Sequence, residues 1–533
     1  MRLPASDEWR IVWLAALLSV AAYVWYDTQG LTLLFNDARI RELIARRVVS
    51  SRTPGLAQLG TTWLPLSFLM MLPFVWNDAL FRSGLAASLP SMVAYVVASV
   101  YMYRTAHLVT GSRAAAWVAA LALMLNPSLL YMQTTSMSET ASLSALVVAI
   151  YYALRVTRSH HPIDIVKCGA AVAAGTLIRY ENWFFAILLV PVLAYAGWRV
   201  RGYVMAEAWT VLYGLLAFAG CVAWVIYNAV IFHDPLASFF YGNTAHTFAA
   251  NAGNPHLADL AAQNHPAIAF ETYGYTVIGT AGWIVVALAL LGLIAFAWRA
   301  RLRVVYLPAY LVLAPFAFYW LVLYYGVNTV TMPELGTGPY YQTRFGLLMI
   351  PAISLFLAVF AISIRRLKDR LIPVAITAIV GTTIIGSALQ TPFVLREALY
   401  GPSGASTLNA GQAPATYLAS HYRSGDTILI SYANTQTAIF DLLVNHGIPD
   451  RALMTDANGS QFTEALAHPE SSVSWILMSS DASNGASRIW DGLQGRQDWR
   501  QYFVLRWKVT TQDGTTEIYE RSQIAGQKVV AAR

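Results

Sequence analysis

Charge is scarce in this chain. Asp, Glu, Lys and Arg make up 12% of its 533 residues against 57% hydrophobic residues, and mean hydropathy is +0.49. Soluble domains carry about 25% charged residues, so this balance excludes an ordinary soluble protein and indicates an integral membrane protein. Cysteine is scarcer still: Cys168 and Cys221 both fall inside apolar runs, so no disulfide framework is expected. The sequence also lacks a Gly-rich phosphate loop, metal-type Cys/His spacing, internal repeats and low-complexity segments. His233, His246, His256 and His265 fit no zinc pattern and read as solvated loop residues. The formal charge of +7 would suggest an anionic partner in a soluble protein. Here most Lys and Arg fall in short loops between apolar runs, where they set orientation, and nucleic acid is not expected as a partner.

What is present is a succession of apolar runs, each near the roughly twenty residues that cross a bilayer. Spans are expected near Ile11 to Tyr26, Leu89 to Ala106, Ala114 to Tyr131, Ala141 to Leu154, Ile165 to Ile178 and Trp183 to Trp198. Five more are expected near Trp209 to Ile231, Tyr275 to Trp298, Val304 to Tyr325, Phe345 to Ile364 and Leu371 to Leu389. The total is about eleven, with Leu64 to Trp76 open as a re-entrant segment or a short span. Arg2 and Arg10 precede the first run and no small-residue cleavage site follows Tyr26, so the first span is expected to stay uncleaved.

Basic residues recur on one side of this arrangement: Arg104 and Arg113; Arg155, Arg158 and Lys167; Arg199 and Arg201; Arg299, Arg301 and Arg303; Arg365, Arg366, Lys368 and Arg370. The orientation rule makes that side, and the N-terminus, cytoplasmic. The first outer loop, about residues 27–88, breaks the pattern with Arg39, Arg41, Arg46, Arg47 and Arg52, which suggests an anionic substrate or lipid headgroups there. An odd number of spans puts the tail outside. The expected division is therefore a transmembrane module over 1–390 and an extracytoplasmic soluble α/β domain over 391–533. Strands are expected at Thr427 to Ile430, Val473 to Leu477, Tyr502 to Trp507 and Thr516 to Tyr519, and a helix at Thr435 to Val444.

The first outer loop opens on Phe35-Asn36-Asp37-Ala38-Arg39, and Ile40, Leu43, Ile44 and Val48 then have the spacing of a helix lying on a surface. Asp37 reads as an N-cap or first-turn acid, and equally as a general base or metal ligand at a membrane exit. Glu139 closes a Ser136-x-x-Glu139 capping-box pattern, and could as well be catalytic. Glu181, in Arg179-Tyr180-Glu181-Asn182-Trp183, either pairs with Arg179 to anchor a hairpin or contributes to a site. Arg344, at the outer start of a span, either snorkels to the headgroups or holds a lipid phosphate. All four lie on the same predicted side. Trp63, Tyr180 and Trp183 suit the interfacial belt and could also line a sugar site by stacking.

Several phrases carry a family resemblance: Arg52-Thr53-Pro54-Gly55-Leu56-Ala57-Gln58-Leu59-Gly60 with Trp63-Leu64-Pro65-Leu66, Met137-Ser138-Glu139, and Arg179-Tyr180-Glu181-Asn182-Trp183. In this order, after a first-loop acid and before an outer C-terminal domain, they resemble the GT-C glycosyltransferases. The similar branch contains protein O-mannosyltransferases and aminoarabinose transferases, the family 39-like enzymes. The resemblance covers roughly the first two hundred residues, and the rest by layout alone. It implies a GT-C fold and an inverting sugar transfer at the outer face of the cytoplasmic membrane. The donor would be a polyprenyl-phosphate sugar and the acceptor a hydroxyl on a protein, lipid or glycan.

The same resemblance implies Asp37 as the first-loop acid and Glu139 as the second, with Glu181 as a further catalytic candidate. Asp37 and Glu139 would be the ligands if a divalent cation, magnesium or manganese, takes part. Arg344 and Arg179 are assigned to the donor phosphate by charge and position. Two departures stand out. Asn36 precedes Asp37 where protein O-mannosyltransferases have adjacent acids, and the oligosaccharyltransferase signature Trp-Trp-Asp-Tyr-Gly is absent, Ile489-Trp490-Asp491-Gly492 being no substitute. A transporter or flippase of a lipid-linked or anionic solute is the alternative, but it would place charges at mid-span and repeat its halves. A non-catalytic envelope scaffold is a second alternative.

Overall fold

The computed structural model describes residues 5–240, 261–365, 391–402, 404–431, 434–481, 488–511 and 514–522. Among them, eight helical stretches are long and apolar enough to cross a membrane: Ser6–Asp27, Leu85–Thr110, Glu139–Ser159, Glu181–Arg201, Tyr203–Phe232, Trp283–Ala300, Val304–Tyr324 and Thr343–Ser363. The shorter apolar helices Arg113–Met124 and Pro162–Thr176 pack into the same bundle. The span expected at Leu371 to Leu389 lies outside the described residues. The chain is a multi-pass membrane protein whose helices share one large apolar core running from Ile11 to Ala398.

Three expectations about spans change, the first being the run from Ala114 to Tyr131, which is two short helices, Arg113–Met124 and Pro127–Met132. The run from Tyr275 to Trp298 is two helices, Pro266–Ala281 and Trp283–Ala300, broken where Gly282 turns to φ 86°. Hydropathy is continuous across that break, while the backbone is not, because glycine alone enters this region without a Cβ penalty. Leu64 to Trp76 is no span: its helix, Leu66–Met71, is six residues long and packs against the bundle, with the Leu66 amide bonded to the Leu177 carbonyl at 2.9 Å. Close packing elsewhere also rests on glycine. A Cβ at Gly292 would fall 1.9 Å from the Phe356 carbonyl oxygen, so the helices Trp283–Ala300 and Ile350–Arg365 approach too closely there for any side chain.

The C-terminal region carries a five-stranded sheet in the order β2-β1-β3-β5-β4. Strands β1 (Ile428–Leu429), β2 (Leu453–Met454) and β3 (Trp475–Asp481) pair in parallel, and β4 (Phe503–Thr511) and β5 (Gly514–Arg521) close it antiparallel. Four of these strands and the helix Asn434–Asn445 lie where the apolar runs of the sequence place them. The two-residue β2 and the helix Ala405–His421 carry no comparable signal.

After α1 (Ala5–Asp27), helix α2 (Asn36–Ser50) lies between the bundle and this sheet region. Its apolar spacing places it on a surface, yet Arg39, Arg41, Glu42 and Arg47 are buried along with Leu43. Leu43 and Phe81 join the core formed by Leu418, Ile428, Ile439 and Leu443 of the C-terminal region. Two of the first-loop arginines, Arg46 and Arg52, act as staples to the C-terminal region. Arg46 pairs with Asp450 at 3.1 Å, Arg52 reaches the Thr427 hydroxyl at 3.4 Å, and Asn458 binds the Thr53 hydroxyl at 3.0 Å.

Glu42 and Asp441 meet inside this interface, and burial is the main cause that pushes both carboxyls upward, Asp441 to about 6 and Glu42 well above its usual range. An acid whose folded pKa is raised stays protonated in the fold while the unfolded chain ionises. Its contribution is therefore full below about pH 4 and is lost as pH rises through the folded values. Glu42→Gln is expected to match the wild-type Tm at pH 4 and to exceed it at pH 8, in a thermal-melt series across that range.

Candidate functional site

At one end of the bundle, two arginines gather four acids from five separate stretches of chain. Arg344 opens the last described span within a 3-10 turn, Thr343–Met349, whose residues are all buried. Its Nη2 donates to Asp37 Oδ2 at 2.7 Å, its Nε to Glu139 Oε1 at 3.2 Å, and its Nη1 to Glu397 Oε1. Arg179 shares Glu139 with it: Nη1 to Glu139 Oε1 is 3.0 Å, Nε to Glu181 Oε1 2.6 Å, and Nη2 to the Tyr319 hydroxyl 2.9 Å. Both guanidinium carbons lie over the Phe345 ring, at 5.3 and 5.6 Å from its centre. A planar fork is what allows one side chain to hold three carboxylates.

Local structure explains each placement. Asp37 sits in the first turn of α2, whose N-cap is Phe35 without a side-chain hydrogen bond, so Asp37 is a first-turn acid and not the cap. The capping box expected at Glu139 does not form: the N-cap is Ser138, whose hydroxyl accepts from Arg179 Nη1 at 3.3 Å and caps no backbone amide, and the Ser136 hydroxyl donates to the Ala38 carbonyl at 2.6 Å. That bond fastens α2 to the start of the Glu139 helix and frees the Glu139 carboxylate for the arginines. Glu181 accepts from Arg179 and from the Ser142 hydroxyl at 2.9 Å, so the hairpin ion pair expected from the sequence exists and also orients Arg179.

Exposure separates the acids. The Asp37 side chain is 30% exposed, whereas Glu139, Glu181 and Glu397 are at 0%, 6% and 5%. Of these four acids, Asp37 is the one that water reaches. Trp63 lies against Arg41, whose guanidinium carbon is 4.5 Å from its ring centre. The Tyr180 and Trp183 rings pack 5.6 Å apart, and the Trp183 indole donates to the Thr176 carbonyl at 2.7 Å, which gives Trp183 a role in fixing the hairpin.

Three residues escape the sequence reading. Glu397 is the most consequential. Besides Arg344 it accepts from the Gln342 and Arg344 amides at 3.0 and 3.1 Å and from the Thr343 hydroxyl at 2.9 Å. It thereby holds Gln342 at φ 56°, a left-handed conformation that is costly for a residue with a Cβ. A signal exists: Glu397 falls on the face of the helix Phe393–Tyr400 defined by Phe393, Val394 and Ala398, an acid in an apolar stripe. Arg41 is one arginine among five, and Tyr319 sits in an unbroken apolar run.

A divalent cation bound by Asp37 and Glu139 does not fit this donor set. Arg344 occupies the space between the two carboxylates, and Glu139 Oε1 already faces two guanidiniums. Among the described residues no group of three or more His, Cys, Asp or Glu side chains converges as metal ligands do. The positive charge of the site is supplied by arginine.

Residues 79–227 match the family model described as dolichyl-phosphate-mannose-protein mannosyltransferase, a stretch that contains Glu139, Arg179 and Glu181. Among solved structures, ArnT from Cupriavidus metallidurans bound to undecaprenyl phosphate aligns over 98% of this chain and 99% of its own, at 13% identity and a TM-score of 0.58. Its apo form aligns over 97% and 98%, at 12% identity and 0.55. The archaeal oligosaccharyltransferase AglB from Archaeoglobus fulgidus, in complex with an inhibitory peptide and a dolichol-phosphate, aligns over 97% of this chain and 74% of its own, at 12% identity and 0.47. No curated protein matches the sequence. The end-to-end likeness to ArnT extends to the C-terminal region, beyond the residues that carry the family-model match.

Proposed function

We propose that this chain, whose fold is that of the GT-C glycosyltransferases, transfers a sugar from a polyprenyl-phosphate donor to an acceptor hydroxyl, with inversion. The observation that carries the reading is Arg344, a buried guanidinium bound at once to a part-exposed acid, Asp37, and a fully buried one, Glu139. The transfer requires a base and a cation together. The acceptor oxygen bonds to the anomeric carbon and its proton passes to the Asp37 carboxylate, while the bond from carbon to phosphate oxygen breaks and its electron pair stays on phosphate. Arg344 stabilises that developing charge. Glu139, Glu181 and Glu397 hold the arginines in place, and burial strengthens each interaction because water does not screen it.

The site lies at span ends, where a lipid phosphate rests at the interface with its chain in the bilayer. The basic residues Arg104, Arg113 and Arg155, each in an ion pair with Glu8, Asp7 or Asp164, support a cytoplasmic reading of the opposite end. The reading therefore places the protein in the cytoplasmic membrane with Asp37 and residues 391–533 on its outer side, the helix Phe393–Tyr400 packed on the bundle core and the sheet region over the site. The match to the mannosyltransferase model and the fold shared with a protein that binds undecaprenyl phosphate support this substrate class. A transporter is not favoured, since among the described residues the charged cluster is at span ends.

The test is sugar transfer by purified protein from a panel of polyprenyl-phosphate sugars, with and without EDTA. Transfer or hydrolysis of one donor is expected, at a rate the chelator leaves unchanged because arginine supplies the charge. No turnover of any donor by folded protein would overturn the reading, and activity lost to EDTA and restored by magnesium or manganese would overturn the metal-free mechanism.

A further inference from the structure

Arg344 and Arg179 are saturated with carboxylates, and Arg41 is not. It lies on α2 one turn beyond Asp37 and is 5% exposed. Among the described residues it forms no ion pair. Its one hydrogen bond runs from Nη1 to the Ser67 hydroxyl at a long 3.4 Å, and its Nε is buried without a partner. Trp63 and Phe68 hold the guanidinium, with ring centres at 4.5 and 5.7 Å. Burial pushes this group down to about 10, and the charges that reach it are Glu139, Asp37, Arg179 and Arg344, the residues of the site itself. A buried cation with an orphaned donor is costly in an empty protein. It makes sense where an anion is to arrive.

We propose that Arg41 is the second guanidinium of the phosphate site, engaged when the polyprenyl phosphate exchanges with Asp37 on Arg344. This rests on the transferase reading above. The donor phosphodiester carries one negative charge, and the leaving polyprenyl phosphate carries a second as the bond from the sugar carbon to oxygen breaks. Arg344 compensates the first charge and Arg41 the second. The exchange also frees Asp37 from its ion pair as the donor binds, so that its carboxylate is available to the acceptor proton in the loaded site. Trp63 supports the arrangement, since its ring lies against the planar Arg41 fork and holds it in place.

The test titrates undecaprenyl phosphate into full-length protein in detergent and follows the melting midpoint, comparing wild type with Arg41→Met, Arg41→Gln and Arg41→Lys. Without lipid, the neutral variants are expected to melt no lower than wild type, since they remove a buried unpaired charge. With undecaprenyl phosphate the wild type is expected to rise, while Arg41→Met and Arg41→Gln bind roughly tenfold or more weakly. Arg41→Lys is expected to recover part of the loss. Inorganic phosphate and solubilised phosphatidylglycerol at the same concentration are expected to leave every midpoint unchanged, because the site requires the polyprenyl chain together with its phosphate.

Wild-type affinity for undecaprenyl phosphate in Arg41→Met would overturn the inference while leaving the transferase reading intact. So would failure of both neutral variants to fold, which would assign Arg41 to structure, or Arg41-dependent stabilisation by phosphatidylglycerol, which would make it a general headgroup contact. No binding of undecaprenyl phosphate by the wild type would overturn the transferase reading, and the inference with it.

Discussion

Arg344→Ala is expected to abolish sugar transfer and to destabilise the protein by about 3–5 kcal/mol, the cost of leaving buried charge without its partner. Glu139 and Glu397 are almost wholly inaccessible to water, and Arg344 is the guanidinium that binds both of them together with Asp37. Its loss leaves Glu397 facing the Gln342 and Arg344 amides and the Thr343 hydroxyl, and leaves Glu139 to Arg179. Arg344→Lys is expected to recover little of either effect, because an ammonium cannot span three carboxylates in three directions. The diagnostic variant is Arg344→Ala combined with Glu397→Gln. Neutralising the orphaned acid is expected to restore part of the Tm and none of the activity, so that a melt and an assay on the four members of the cycle separate the structural share of Arg344 from the chemical one. Additive Tm losses in that cycle would contradict the pairing.

Asp37→Asn is expected to behave in the opposite way, with a rate loss of about 10²- to 10⁴-fold and a Tm near that of the wild type. The side chain is 30% exposed, it is one of three carboxylates on Arg344, and the amide can still accept the Arg344 hydrogen bond. What the amide cannot do is take a proton from the acceptor. Steady-state transfer should therefore show kcat falling with the apparent affinity for donor kept or improved, since the carboxylate that competes with phosphate for Arg344 is gone. A large rise in the donor KM at unchanged kcat would place Asp37 in binding instead.

Much of this site is legible in the sequence because membrane sequence is economical with charge. An acid or arginine at a span end stands out against an apolar background, and Asp37, Glu139, Glu181 and Arg344 can be assigned to one side by counting spans. Their contacts cannot be read, since Arg344 lies 307 residues from Asp37 and 205 from Glu139. Glu397 stands after the last apolar run of the sequence instead of at the start of one, and only the helix Phe393–Tyr400 reveals that it points into the apolar face. Arg41 is hidden by abundance. Five arginines in one loop suggest a common purpose, whereas Arg46 and Arg52 bind the C-terminal region and Arg41 lies among the charges of the site.

The break at Gly282 shows a different limit. Periodicity and hydropathy describe side chains, and the turn between Pro266–Ala281 and Trp283–Ala300 is a property of the backbone. The same holds for the left-handed Gln342, which sets the direction in which Arg344 leaves the chain and which is stabilised by a carboxylate 55 residues later.

The most direct test of the account is a single-turnover assay with the active polyprenyl-phosphate sugar, in which Asp37→Asn and wild type are loaded with equal donor and the release of polyprenyl phosphate is followed. The account predicts that both proteins bind the donor and that the wild type alone releases polyprenyl phosphate on the timescale of its turnover. Equal release from the two proteins would contradict it, because the proton of the acceptor would then pass to a group other than Asp37.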